Sequence, residues 1–240
     1  MKNKENANAI KKTARLAGFF YLMVAIAGLF TFFVNQKLMV PGDAVTTANN
    51  IQASIVLFNL GIVSELITAT FWILAAVALY RLFKSVNKDH AFLMVSLVLV
   101  GGAIMCANVL NQIAAMLILN GSSYLAVFEI NQLQTLALLF LNIYQTGVLI
   151  NHIFFGLWLF PLGILVLRSG YFPKIVGRII GVLLLIAGAS YLIDFTFFFF
   201  MNIHSAIISY TFFGELFLLL WLLIKGVEYP KQNPEVSSIK

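Results

Sequence analysis

Four side chains that can ionise, Glu65, His152, Asp194 and Glu215, lie inside long apolar runs. An ionised group inside a bilayer costs a few kcal/mol or more, so such residues mark places where protons, cations or polar solutes are handled. The alternative is structural, with a desolvated carboxyl staying protonated and donating a hydrogen bond to a neighbouring helix. Spacing favours a shared site. Glu65 precedes Arg81 by 16 residues, His152 precedes Arg168 by 16, and Asp194 follows Arg178 by 16. At about 1.5 Å per residue, all three lie about 24 Å from the basic end of their helices, and Glu215, before Lys225, lies about 15 Å in. Asn108, Asn111 and Gln112 fall in a similar layer. The expected site is an intramembrane polar pocket of Glu65, Asn108, His152 and Asp194, open to the outer face, with Glu215 at its floor. For Asn108, Asn111 and Gln112, hydrogen bonding between helices, worth about 0.6 kcal/mol each, is the competing role. For His152 the competing role is simple packing.

Familiar reaction templates are missing. The chain has no His-Glu-x-x-His pair, no Gly-x-Ser-x-Gly elbow and no phosphate-binding loop. The single Cys106 sits in an apolar run, which excludes a disulfide framework and a thiolate metal site. Glu65, His152 and Asp194 would supply a metal with one nitrogen and two oxygens, but one intramembrane histidine is a poor basis for such a centre. No catalytic residue, metal or cofactor is expected.

These residues must be positioned by membrane helices. With 61% hydrophobic and 10% charged residues, the chain lacks the charge of a soluble domain, which runs near 25%. Crossing helices of about 20 residues fit near 16–36, 53–80, 91–119, 146–168, 178–201 and 205–225. The whole of 1–240 reads as one all-α integral membrane domain, a six-helix bundle. Its first run resembles a signal peptide but is too long for one, and is expected to be an uncleaved anchor.

Fourteen of the fifteen Lys and Arg residues fall in segments of one parity, and only Lys37 lies on the other. Short loops that keep Lys and Arg stay cytoplasmic, so both termini are expected inside. The net charge of +6 is scattered over these loops, which suits anionic lipid headgroups rather than nucleic acid.

The same parity decides residues 127–168, which are too long for one crossing and would send Arg168, Lys174 and Arg178 outside if they made two. Glu129, Asn131, Gln132, Gln134, Thr135, Asn142 and Gln145 suggest that 127–145 is a separate interfacial or re-entrant amphipathic helix, breaking near Gly147. In the loop Met39-Val40-Pro41-Gly42-Asp43, Asp43 could cap a short helix through Thr46, Thr47 and Asn50. Stripes of small and polar residues, Gly61-Glu65-Thr68-Ala69-Trp72 and Ala187-Ser190-Tyr191-Asp194, mark faces that turn inward.

Several blocks look like a known family. They are Val40-Pro41-Gly42-Asp43-Ala44, Phe154-Phe155-Gly156-Leu157, the run Leu167 to Ile175, the stretch Gly188 to Asp194, and Gly214-Glu215-Leu216 through Gly226. Together they resemble the bacterial membrane family called domain of unknown function 4386, over nearly the whole chain. The resemblance implies a multi-pass protein of the bacterial cell membrane and supplies no activity. Its pattern also implies a basic residue where this chain has Asn59 and a histidine where it has Tyr144.

Three functions are compatible with these residues. One is binding or movement of a small solute or proton through the polar pocket. The second is a non-catalytic accessory or stress-related subunit with a membrane-protein partner or a second copy. The third, without a visible nucleophile, is an enzyme on a lipid substrate.

Overall fold

Capping and proline chemistry set where the helices start and stop. In a computed structural model describing residues 2–121, 123–201 and 211–228, these are α1 (Lys2–Leu38), α2 (Ala44–Ala53), α3 (Ile55–Phe83), α4 (Lys88–Leu119), α5 (Ile130–Leu157), α6 (Leu159–Arg168), α7 (Lys174–Met201) and α8 (Phe213–Ile224). Asp43 caps α2 by accepting from Thr46 N at 2.9 Å, and Thr46 Oγ1 donates to its other oxygen at 2.6 Å. Thr47 and Asn50 instead bond back to Val40 and Leu38. Asn87 caps α4 through His90 N, and Glu129 with Gln132 forms a capping box at α5.

Five stretches are long and apolar enough to cross a membrane: Asn8–Leu38, Ile55–Phe83, Lys88–Leu119, Ile130–Arg168 and Lys174–Met201. Their outward faces carry exposed Leu29, Val63, Leu99, Ile150 and Val182, which only lipid would cover favourably. The molecule is a multi-pass helical membrane protein. The expected sixth span at 205–225 begins partly outside the described residues. Its described part, α8, is about 18 Å long and too short to cross alone, so six crossings are not established.

Residues 127–145 do not form a helix of their own. They enter α5, which runs through Gly147 without a break and ends at Trp158. The interruption has a chemical cause three residues on. Pro161 has no N–H for the Leu157 carbonyl, and its ring excludes that carbonyl from the helical position. Gly147 has a different purpose, because a Cβ there would lie 2.2 Å from Asn108 Oδ1. Together α5 and α6 span about 58 Å, so the polar start of α5 stands beyond the hydrocarbon. There it buries Gln134, Ala137, Leu141 and Tyr144 and exposes Asn131, Gln132 and Thr135.

Neighbour packing closes a circuit. α1 rests on α3, α3 on α4, α4 on α5, α5 and α6 on α7, α7 on α8, and α8 returns to α1. The basic segments meet at one end. Arg15 donates to the Ile224 carbonyl at 3.4 Å, Ser85 and Tyr171 share a 3.0 Å hydrogen bond, and Glu228 N donates to the Tyr171 carbonyl at 2.9 Å. At the opposite end, Leu38, Ile51, Phe58, Leu119 and Leu141 form a smaller apolar cluster beneath α2.

Two glycine pairs set the α5–α6 seam against α7. A Cβ on Gly156 would lie 2.6 Å from Gly188 O, and one on Gly163 would lie 3.0 Å from Gly181 O. The pairs are seven residues apart on each side, so they repeat along one antiparallel seam. Gly156→Ala should force the helices apart and cost about 1–3 kcal/mol, read as a lower unfolding midpoint in detergent. Gly28→Ala meets only Thr68 Cγ2 at 3.7 Å and should stay close to wild type.

The Asp43 cap gives a pH-dependent expectation. The Thr46 hydroxyl, then the Thr46 N–H, holds this exposed carboxyl below its ordinary value. A depressed folded value stabilises above the unfolded value and is lost as pH falls through the folded one. Asp43→Ala should therefore speed amide exchange at Thr46 at neutral pH, and the difference from wild type should shrink in strong acid.

Candidate functional site

The closed circuit of helices leaves space at its centre. A cavity of about 1020 Å³ runs from Met39, Val40 and Pro41 in the α1–α2 loop down to Phe155 on α5. Its rim residues Gln36, Pro41, Asn142 and Gln145 are exposed, while Glu65, Asn108, Asn151 and Asp194 deeper in are buried. Glu65, Asn108, His152 and Asp194 all line this one cavity, from α3, α4, α5 and α7. Glu215 does not. It lines a separate chamber of about 180 Å³, which shares Gly28, Thr68, Met105 and Phe155 with the larger cavity.

Each acid has its own partners. The Tyr144 hydroxyl donates to Glu65 Oε2, and Asn35 Nδ2 donates to that hydroxyl at 3.2 Å. Gln112 Nε2 extends the chain to Asn35 Oδ1 at 3.4 Å. Asn108 Nδ2 reaches the Tyr144 carbonyl at 2.8 Å, beside Gly147, and Asn111 bonds back to Asn108. Thus α1, α3, α4 and α5 are joined by one polar network. Asp194, 3% exposed, faces His152, with Oδ2 and Nδ1 3.0 Å apart. The imidazole lies against Tyr191 at 5.4 Å and Phe155 at 6.1 Å between ring centres. The Tyr21 hydroxyl donates to Glu215 Oε2, and that of Tyr191 donates to Oε1 at 3.4 Å.

Two participants were missed by sequence reasoning. Tyr144 supplies the hydroxyl that satisfies Glu65. Asn151 is 2% exposed and lines the cavity, yet neither its Oδ1 nor its Nδ2 has a partner among the described residues. A signal was present, since Tyr144, Gly147, Asn151 and His152 share one helical stripe at i, i+3, i+7 and i+8. Splitting the helix between 145 and 146 cut that stripe in two.

The chemistry of the lining is one-sided. Among the described residues no Lys or Arg reaches the large cavity, so its ionisable groups are two carboxyls and one imidazole. Such a surface accepts protons, ammonium groups and neutral hydrogen-bonding solutes, and repels anions. Among the described residues, no three His, Cys, Asp or Glu side chains are placed to hold a metal ion.

Fold and cavity define a class, a multi-pass helical membrane protein with a largely apolar cavity that carries two buried carboxyls. Residues 16–226 match the family described as Domain of unknown function (DUF4386), and the chain belongs to that family. It is also 36% identical over 151 residues to a chain of Archaeoglobus fulgidus described as an uncharacterized protein, covering 63% of this chain and 74% of the relative. No solved structure matches.

Tyr144→Phe isolates the Glu65 hydrogen bond. It leaves a buried acceptor without its donor, so stability should fall by about 1–3 kcal/mol, measured as a shift in the detergent unfolding midpoint.

Proposed function

We propose that this protein binds a small polar or cationic solute in the large cavity and exchanges protons there through Glu65 and the His152–Asp194 pair. The observation that carries this reading is a roomy cavity with two buried carboxyls at its depth and an Asn151 whose amide atoms are unsatisfied beside it. A buried amide without partners is costly, and a bound solute or water would relieve it. The basic end of the bundle faces the cytoplasm in this reading, under the rule that Lys- and Arg-rich short loops stay inside. The cavity mouth beside Met39 and Pro41 then faces the opposite side, and anionic lipid headgroups meet the basic end.

Native mass spectrometry of the protein extracted in mild detergent tests this directly. The wild type should carry a small-molecule adduct whose occupancy falls at least tenfold in Asp194→Asn or Glu65→Gln, with helical content unchanged. Wild-type occupancy in both variants would sink the proposal. Loss of thermal stability without any change in bound solute would favour the accessory-subunit role, in which the acids only join helices.

A further inference from the structure

The smaller chamber is walled by a ring of aromatic side chains that closes on itself. Tyr21 meets Trp158 at 5.8 Å and 64°, and Trp158 meets Trp72 at 5.8 Å and 81°. Trp72 meets Phe155 at 4.8 Å and 61°, and Phe155 meets Tyr191 at 5.9 Å and 59°. The two end tyrosines are then joined by one carboxylate, Glu215, which accepts a hydrogen bond from each. These six residues come from α1, α3, α5, the α5–α6 junction, α7 and α8.

A packed aromatic core would leave no such space, because protein interiors fill to nearly crystalline density. Here about 180 Å³ stays open against these side chains, with Val24, Ala25, Gly28, Thr68 and Met105 completing the lining. Aromatic faces carry partial negative charge and attract cations, most strongly alkylated ammonium groups, when several rings surround them. A bound cation would favour the ionised form of Glu215, which would then add a formal charge to that environment. Both of its oxygens act as acceptors, and among the described residues no Lys, Arg or His pairs with it.

We propose that this chamber is a binding subsite for an alkylammonium group, with Glu215 as its counter-charge. The group enters from the large cavity past Thr68, Met105 and Phe155, the side chains shared by both spaces. For that way in, and for nothing else, the subsite rests on the proposed role of the large cavity. A solute with an ammonium head in the aromatic chamber and a hydrogen-bonding body beside Asn151 and Asp194 would use both spaces.

Tetramethylammonium chloride titrated into the detergent-purified chain provides the test. Trp72 and Trp158 are two of its three tryptophans, so intrinsic fluorescence reads the chamber. A saturable change is expected, absent with sodium chloride at equal ionic strength. Affinity should fall at least tenfold in Glu215→Gln, which keeps the shape of the side chain, and remain within twofold in Asp89→Asn, which alters an exposed carboxyl at the start of α4. Should Glu215→Gln not fold, Tyr191→Leu removes one wall, keeps the carboxylate, and should weaken binding by a similar factor. A response that does not saturate, that sodium reproduces, or that survives undiminished in the folded variant overturns the subsite. Binding that Asp194→Asn abolishes and Glu215→Gln spares also overturns it, while leaving the role of the large cavity standing.

Discussion

Inside a bilayer a polar group cannot turn to water, and this constraint organises the bundle. Each buried donor or acceptor must find a partner on another helix or face an enclosed space that holds solute or water. Both solutions occur here. Ser64 donates to the Ala27 carbonyl at 2.9 Å and Thr31 to that of Gly61 at 3.3 Å, joining α1 to α3 directly. Glu65, Tyr144, Asn35 and Gln112 form a chain across four helices. Asn151 has no such partner among the described residues, and it lines the cavity. The cavity and the network are thus two answers to one problem.

Close packing elsewhere makes the space affordable. At Gly18 a Cβ would lie 2.6 Å from Leu223 N, and at Gly214 it would lie 2.7 Å from the Leu183 carbonyl carbon. These contacts bring α8 against α1 and α7, while Gly156 and Gly163 bring the α5–α6 seam against α7. Backbones that approach this closely gain dispersion contacts along their length, which lipid chains would not supply. With the perimeter tight, the centre can stay open around polar groups.

Much of this arrangement could be read from residue order, and what could not be read has physical reasons. Basic residues served as depth markers because each sits at a helix end, and rise per residue in a helix is constant. That count brings Glu65, His152 and Asp194 to one layer, and the same three residues line one cavity. It is blind to lateral position, however. Glu215 is deeper by the count, but only packing shows that Met105 and Phe155 divide its chamber from the larger one. Polarity misled at 127–145, where hydrophilic residues suggested a separate helix. Their true cause is length, since α5 extends beyond the hydrocarbon and wets its outer face while Leu141 and Tyr144 stay buried. The aromatic ring had no sequence signature, because its members come from different helices and share no period.

The helix break at Trp158 ties these observations together. Pro161 leaves the Leu157 carbonyl without its donor at the junction of α5 and α6, and both helices pack on α4 and α7. At the junction, Trp158 is 1% exposed and meets both Tyr21 and Trp72, closing the aromatic ring on the side opposite Tyr191 and Glu215. The missing backbone hydrogen bond and the Trp158 that walls the chamber thus fall at the same helix junction. The junction lies six residues beyond His152, and between them Phe155 lines both the large cavity and the aromatic chamber. A proline in this position is thus as much a part of the candidate binding architecture as the acids are.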